Sequence, residues 1–317
     1  MRQSGGPRGP TSPHHHRRRL ATIAGIAVIG ASAALAGCGD DTTPPGATAT
    51  SPSATVSSSD AASAVAAAFA RLRAGTYEST TRGTSSFDAS GLDASLRGAA
   101  EAQFATQPTD VDTATRFESP ERIAITQRLP AGQQEIVLYD GDVFVRRAGG
   151  DWARVTGEAA SAFAQATSLA GLDPTALYSA IRNDGPTEAD GRPATRYVGT
   201  IDPGRAGDLL AGVLAGLGGA GSAIRDAVAL DGGTATILVD DATGTVARNE
   251  VALEVSFDFG ALAQAAGADA GGDLGSVRMS GTSTETVGDV GGDVVVTRPE
   301  ATTTVSTISG LGEFLAG

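Results

Sequence analysis

Apolar residues alternate with other residues along the stretch VARNEVALEVSFDF, which occupies residues 246–259. Side chains two positions apart share one face of a β-strand, so this pattern predicts a long strand with one apolar face. Asn249 interrupts the alternation near its start. A strand of this kind belongs in a sheet whose apolar face is covered by another layer. The apolar face consists of Val251, Leu253, Val255, Phe257 and Phe259.

Shorter stretches with strand-like patterns lie on both sides of this segment. RIAIT places Ile123 and Ile125 on one face, and QEIVLYDGDVFVRR predicts a hairpin that turns at Asp140-Gly141. Four further stretches are predicted as strands, namely TRYVGTID, TATILVDD, SVRMSGTSTETV and DVVVTRP. No repeat of fixed period accompanies them.

Helical spacing appears in four places. The first predicted helix begins at Asp60 and ends at Gly75, and a second covers GEAASAFAQA. The third lies in GLDPTALYSAIRNDG, where Asp173 is the cap and Leu177, Tyr178 and Ile181 share a face. The fourth starts near Pro203 and contains Leu209, Leu210, Val213, Leu214 and Leu217. Strands, then helices, then strands predict an α+β fold with a single large antiparallel sheet and helices against one face.

The N-terminal residues have the three parts of an export signal. Five arginines precede an uncharged, Ala/Ile/Val-rich run from Leu20 to Gly37, which is short for a membrane span. The run ends in Leu-Ala-Gly-Cys, which resembles the bacterial lipobox, with Cys38 as the acylated residue. Acyl chains on one thiol hold a soluble domain at a membrane. A non-lipidated signal followed by a stray cysteine, or an uncleaved helix, is the alternative.

Removal of residues 1–37 changes the charge of the chain. Five of the 23 basic residues and none of the 36 acidic residues precede Cys38, so the remaining chain has a net charge of −18. Such a chain repels nucleic acid and anionic head groups, which excludes nucleic acid as a partner and leaves the lipid as the anchor. Cys38 is the single cysteine, so no intramolecular disulfide forms.

The sequence therefore divides into three parts. Residues 1–37 are a predicted lipoprotein signal peptide. Residues 38–59 are the lipidated cysteine and a Ser/Thr/Pro-rich tether, which is predicted to be disordered because it lacks apolar periodicity. Residues 60–317 are long enough for one sizeable domain.

The mature part of the chain lacks the usual catalytic side chains. All three histidines lie before Cys38 and the chain has no lysine. Histidine-dependent nucleophiles, Schiff bases and imidazole or thiolate zinc sites are therefore excluded. A hydrolase built on two carboxylates stays open, although one tryptophan and 4% aromatic residues suit a sugar site poorly. We expect no enzyme, no cofactor and no metal.

Two patterns resemble ligand-binding motifs. Gly216, Gly218 and Gly221 form G-x-G-x-x-G, with Asp240 and Asp241 further on, but LLAGVLAG before the first glycine has a helical pattern and no βαβ alternation follows. We interpret the stretch as a glycine-rich join of helix and loop, or as a mobile flap over an apolar pocket. Acidic pairs among glycines lack calcium-loop spacing and are interpreted as solvated turns; they are Asp110/Asp112, Asp269/Asp273 and Asp289/Asp293.

Several short motifs occur in an order that resembles a known family. They are the lipobox, the Ser/Thr-rich tether, D-G-x-x-F followed by W-x-x-V, L-D-P, GRPATRYVGTID, ILVDD and VVVTRP. Together, over most of Asp60 to Pro299, they resemble the LppX/LprG lipoprotein family of actinobacteria, which is related in fold to the LolA/LolB lipoprotein carriers. The resemblance implies a half-open β-barrel, a curved antiparallel sheet with helices across its concave face. It also implies an apolar cavity that holds acyl chains. The glycine-rich residues 211–221 depart from the family pattern, and no residue matches a family contact to a lipid head group.

The residues alone leave two interpretations of the interior open. Short covering helices of Ala, Gly and Leu fill the space over a large sheet poorly, and a void lined by aliphatic groups accepts acyl chains. The alternative is an ordinary packed core written in small residues. With the resemblance we expect a cavity. Its sheet side comprises Ile123, Ile125, Val251, Leu253, Val255, Phe257 and Phe259, and its cover comprises Leu210, Val213, Leu214 and Leu217.

The sequence thus predicts a membrane-anchored, non-catalytic envelope lipoprotein that binds acyl lipid or glycolipid for transfer across the cell envelope. It would lie outside the cytoplasm, on the outer leaflet of the cell membrane, with an envelope transporter as a candidate partner. The alternative is a protein-interaction or scaffolding lipoprotein of the same fold.

Overall fold

The structure is a computed structural model that describes residues 58–104, 110–129, 132–157, 159–161, 163, 174–208, 227–261 and 274–316. Twelve strands are formed by these residues, and all of them belong to one sheet. The strands are β1 Tyr77–Asp88, β2 Asp110–Ser119, β3 Arg122–Leu129, β4 Gly132–Tyr139, β5 Asp142–Arg147, β6 Trp152–Val155, β7 Tyr178–Ala189, β8 Arg192–Ile201, β9 Val228–Asp240, β10 Val246–Asp258, β11 Ser276–Gly288 and β12 Ala301–Val305.

The strand order is β12-β6-β5-β4-β3-β2-β1-β11-β10-β9-β8-β7, and the two end strands do not pair with each other. Every neighbouring pair is antiparallel except β12 with β6, which is parallel. The predicted fold class, a single large sheet that does not close, is confirmed, with one parallel pair at its edge as the exception. Strands β1 to β6 together with β12 form one half of the sheet, strands β7 to β11 form the other, and the halves meet where β1 pairs with β11.

One face of the sheet carries helix α1, Ser58–Arg73, and is called the inner face below. The helix begins two residues before the predicted Asp60 and ends before Gly75. Its buried side chains pack on residues of β7, β9 and β10, among them Ile181, Ile237 and Val251. The buried residues of α1 are Ala61, Val65, Ala68, Phe69 and Leu72.

A second apolar cluster covers the other end of the inner face. Ile136, Val143 and Val145 of β4 and β5 pack with Leu311 of helix α3, Ile308–Ala316. Ala159 joins this cluster from a helical segment after β6, as the pattern of GEAASAFAQA predicted for the described part of that segment. Helix α2, Ala94–Phe104, lies in a third cluster with Leu92 and Val277. The helices α2 and α3 were not predicted.

The hairpin predicted at Asp140-Gly141 is confirmed. Strands β4 and β5 pair up to Tyr139 and Asp142, which leaves a two-residue turn. Asp140 has φ 49° and Gly141 has φ 86°, and two positive φ angles define the type I′ turn that suits tight hairpins.

The helix predicted in GLDPTALYSAIRNDG is wrong. A single 3₁₀ turn, Pro174–Leu177, leads directly into β7, which pairs with β8 along its length. The spacing of three between Tyr178 and Ile181 indicated a helix, but a bulge between Tyr178 and Ala180 places both side chains in the main apolar cluster. An irregular strand therefore produced a helical spacing.

The strand predicted for DVVVTRP is also wrong. Residues 293–300 form no strand, because the chain must pass from β11 in the middle of the sheet to β12 at its edge. We call residues 289–300 the crossing segment. It crosses the face opposite α1, where Val296 packs with Val137 and Phe144.

Polar contacts fix the crossing segment at three strands. The Gly291 amide donates to the carbonyl of Thr76 just before β1, at 2.8 Å, and Val296 N donates to Glu118 Oε2 at the end of β2, at 2.7 Å. Arg298 reaches Asp142 Oδ2 on β5 at 2.8 Å. The segment thereby joins the two halves of the sheet.

Candidate functional site

In the middle of the sheet, the residues with odd numbers form the inner face. Odd-numbered residues of β1, β11 and β10 lie opposite one another, as in the pairs Ser79 with Val287 and Val251 with Ser283. Both Val287 and Val251 belong to the cluster under α1. The predicted apolar face of β10 is therefore the inner face.

The sheet-side residues predicted for the cavity occupy several places on this face. Val251, Leu253, Ile123 and Ile125 belong to or border the main cluster with α1. Val255 is buried, and Phe257 is half-buried at the far end of β10.

Phe259 does not lie in the strand. Strand β10 ends at Asp258, whose carboxylate accepts a hydrogen bond from the amide of Ala261 at 3.0 Å in a following helical turn. Phe259 instead packs with Leu92 and Val277 near α2. Its amide still donates to the carbonyl of Gly275 at 3.0 Å, and Val277 is an odd-numbered inner-face residue of β11, so Phe259 packs at the end of the inner face just beyond the strand.

The predicted cover residues Leu210, Val213, Leu214 and Leu217 lie outside the described residues, as do Cys38 and the three glycines of G-x-G-x-x-G. A helical segment does begin at residue 203, after Asp202, whose carboxylate accepts from the amides of Gly204 and Arg205. Within the described ranges, α1 is the cover that contacts β10 and β9.

A surface groove of about 700 Å³ crosses four neighbouring strands, and most of its lining, including Thr84, Thr282 and Glu254, belongs to the face opposite α1. Between the two rows of the groove lies a row of inner-face positions, Ser85, Gly281, Leu253 and Gly233, which are paired with one another across β1, β11, β10 and β9. A Cβ atom at Gly233 would lie 2.8 Å from Leu253 Cδ2 and 3.0 Å from Ile201 Cδ1. Glycine is therefore required there for the inner-face side chains to pack as they do.

A buried polar cluster interrupts the apolar inner face. Ser79 is 4% exposed, Asn249 is 3% exposed and Glu285 is 7% exposed. Asn249 and Glu285 are direct partners across β10 and β11, and Glu285 faces Thr81, two residues after Ser79, across β1. We call Ser79, Asn249 and Glu285 the polar trio.

Two groups of the polar trio lack hydrogen bonds. Within the described residues, neither Ser79 Oγ nor Asn249 Oδ1 has a partner. A buried polar group left in this condition costs about 1–3 kcal/mol. Burial raises the pKa of the Glu285 carboxyl, and the nearby Ser79 hydroxyl lowers it in part. Burial thus favours the neutral acid, which can donate as well as accept.

The sequence analysis missed the polar trio. Asn249 was interpreted only as a break in the apolar run, although its odd position places it on the same face as Val251. Ser79 lies in β1, which was not predicted as a strand at all. The available signal was that Asn249 has an odd number, like the five apolar residues that follow it, and therefore belongs to the same face of the strand.

The described residues contain no group of three or more His, Cys, Asp or Glu side chains that could hold a metal ion. Asp240, which followed the glycine pattern in the sequence, accepts from the amides of Ala242 and Thr243 in the β9–β10 turn. None of the helices in the described ranges is both long and apolar enough to cross a membrane.

No protein-family model matches the chain, and no curated protein matches it. Solved structures with a similar fold include the lipoprotein LppX of Mycobacterium tuberculosis, which is 13% identical, with a TM-score of 0.41 over 76% of this chain and 100% of that chain. LprF of Mycobacterium bovis is 14% identical, with a TM-score of 0.34 over 77% of this chain and 95% of that chain. A LolA superfamily protein of Nitrosomonas europaea is 10% identical, with a TM-score of 0.24 over 74% of this chain and 93% of that chain.

LppX and the LolA superfamily are also named in the resemblance that was drawn from the sequence. At these identities and TM-scores the likeness concerns the fold, and the ligand must be argued from the residues of this chain.

Proposed function

We propose that the protein is a membrane-anchored lipoprotein that binds acyl lipid or glycolipid between the inner face of its sheet and the covering helices, for transfer across the cell envelope. Catalysis plays no part in this function. The observation that supports it best is the apolar inner face. There α1 offers mostly small side chains, and large apolar residues of the sheet, including Leu253, Phe257 and Leu230, are only half-buried.

In this proposal the anchor is an acylated Cys38, because the sequence Leu-Ala-Gly-Cys that ends at this residue resembles a lipobox. Intact-mass measurement of the full-length protein after expression in an actinobacterial host tests it. We expect a chain that begins at Cys38 and carries the mass of acyl groups, whereas Cys38→Ala keeps residues 1–37. A wild-type protein with an unmodified thiol would remove the anchor from the proposal.

Lipid binding on the inner face is tested by substituting two neighbouring residues that lie on opposite faces of the sheet. Leu253 lies on the inner face, and Glu254 next to it is exposed on the other. A charge at Leu253 places an ammonium group among apolar side chains, so we expect Leu253→Lys to lose most co-purified acyl lipid. Glu254→Lys should retain it.

The alternative function has a distinct outcome in the same preparations. A scaffolding lipoprotein would yield one protein partner and no acyl lipid beyond the anchor. Equal lipid in both variants would place the lipid elsewhere than the inner face.

A further inference from the structure

The polar trio is buried on the inner face, and within the described residues neither Ser79 Oγ nor Asn249 Oδ1 has a hydrogen-bond partner. Its direct cross-strand neighbours on the inner face are apolar at Val287 and Ile237, and they carry hydroxyl groups at Thr81 and Thr115. The buried side chains of α1 above them are alanine, valine, phenylalanine and leucine, which offer no hydrogen bonds. The missing partners must therefore come from outside the described protein groups.

A path of small residues leads along the inner face from the polar trio toward Leu253. Thr81, Gly83 and Ser85 on β1 and Ser283 and Gly281 on β11 are inner-face residues, and all five are half-buried. The path ends at the pair Ser85 and Gly281, and Gly281 is the direct partner of Leu253 across β10 and β11. Glu285 and Gly281 are four positions apart, which corresponds to about 13 Å along a strand.

We propose that the polar trio binds free hydroxyl groups of the lipid ligand, such as those of a glycerol or sugar head group, while the acyl chain lies along the path of small residues toward Leu253. This inference rests on the proposed function and adds the chemical class of the head group.

The chemistry of the polar trio selects hydroxyl groups. Asn249 Oδ1 accepts hydrogen bonds, and Ser79 Oγ both donates and accepts, so a hydroxyl can satisfy either. A head group without donors leaves the Asn249 oxygen unpaired, and a site that forms such hydrogen bonds rejects analogues that lack them.

The test is a competition measured by native mass spectrometry on the full-length protein in detergent. The two probes are monoolein, which has free hydroxyl groups, and monoolein with its hydroxyls methylated, offered at equal concentration. We expect the wild type to bind monoolein about tenfold more often, since about 1.4 kcal/mol of hydrogen bonding corresponds to that ratio.

Single substitutions test whether the preference for monoolein over its methylated form comes from the polar trio. We expect Asn249→Leu and Ser79→Ala each to bring the ratio close to one, and Glu285→Gln, which still donates and accepts, to keep most of it. Thr113→Val is the control, because Thr113 is a half-buried inner-face residue on β2 outside the trio. It should leave the ratio unchanged.

The outcomes separate the inference from the proposed function. A folded Asn249→Leu or Ser79→Ala protein with the wild-type ratio would overturn the inference, and so would a wild-type ratio of one. A wild type that binds neither probe nor any other acyl lipid would instead overturn the proposed function. Because each ratio is measured within one sample, partial loss of folded protein does not alter it.

Discussion

The amide of Val296 donates a hydrogen bond of 2.7 Å to the carboxylate of Glu118, a residue 178 positions earlier in the chain. This hydrogen bond is the largest cause of the lowered pKa of Glu118, followed by the one from Arg122. It fixes the crossing segment to the end of β2, next to the place where the side chain of Val296 is buried. The sheet is thus fastened on the face that α1 does not cover.

The crossing segment provides the first prediction. Val296 is 3% exposed and Val295 is 60% exposed, so the two neighbours form a matched pair. Val296→Ala removes two buried carbon atoms and should lower the free energy of unfolding by about 1.5–2 kcal/mol. Val295→Ala should change it by less than about 0.5 kcal/mol. Urea unfolding followed by circular dichroism measures both, and equal effects would mean that the segment does not pack as described.

The second prediction concerns close packing at a β-bulge. A Cβ at Gly233 would lie 2.7 Å from the carbonyl oxygen of Ala252, whereas nothing lies within 4 Å of a Cβ at Gly232. Gly233→Ala should therefore destabilise the fold by about 1–3 kcal/mol through overpacking. Gly232→Ala should be neutral or slightly stabilising, because the unfolded chain loses conformational freedom. Thermal unfolding of the two variants compares them, and the reverse order would refute the inner-face packing at β9.

The third prediction concerns Glu285 and pH. Burial raises the pKa of this carboxyl above its ordinary value of 4.5, so the folded state holds the proton more tightly than the unfolded state. Stability from this group is present below pH 4.5 and is lost as the pH rises through the folded-state pKa. Glu285→Gln removes the titration, so the stability of the variant relative to wild type should increase with pH over that interval. Chemical unfolding at a series of pH values measures it, and a constant difference would contradict the burial of the acid.

The fourth prediction concerns Asp142, whose pKa is shifted in the opposite direction to that of Glu285. Hydrogen bonds from Arg298 and Arg154 lower the pKa of Asp142, which links the crossing segment to β5 and β6. Its contribution is present above the ordinary carboxyl pKa and is lost as the pH falls through the lowered value. Asp142→Asn should therefore destabilise the protein at neutral pH and lose this effect in acid. Asp151→Asn, at an exposed position, is the control, and it should change the stability at neutral pH by less than about 0.5 kcal/mol.

The sequence predicted those parts of the fold whose signals are local. Strand β10 and the hairpin at Asp140-Gly141 follow from alternation and from turn chemistry within a few residues. Strand β1 was missed because YESTTRGTSSFD has few apolar residues. It is a strand because β2 and β11 pair with it on both sides, and β11 lies about 200 positions later in the chain.

The candidate site was predicted only in part, because some of its residues have local sequence signals and others are brought together by long-range pairing. The apolar residues Val251, Leu253 and Val255 could be placed on one face by parity alone. The polar trio could not be found, because its members lie on three strands whose register only the folded sheet defines. Alternation did not indicate that the strand ends at Asp258, one residue before Phe259.

The central claim is that the inner face encloses a lipid, and native mass spectrometry of the full-length wild-type protein tests it most directly. The protein should be extracted from actinobacterial membranes in mild detergent and released from the detergent in the instrument. We predict a population heavier than the acylated chain by the mass of one or more acyl lipids, which Leu253→Lys loses and Glu254→Lys keeps. Repeated preparations that show only the mass of the chain and its anchor would contradict the claim.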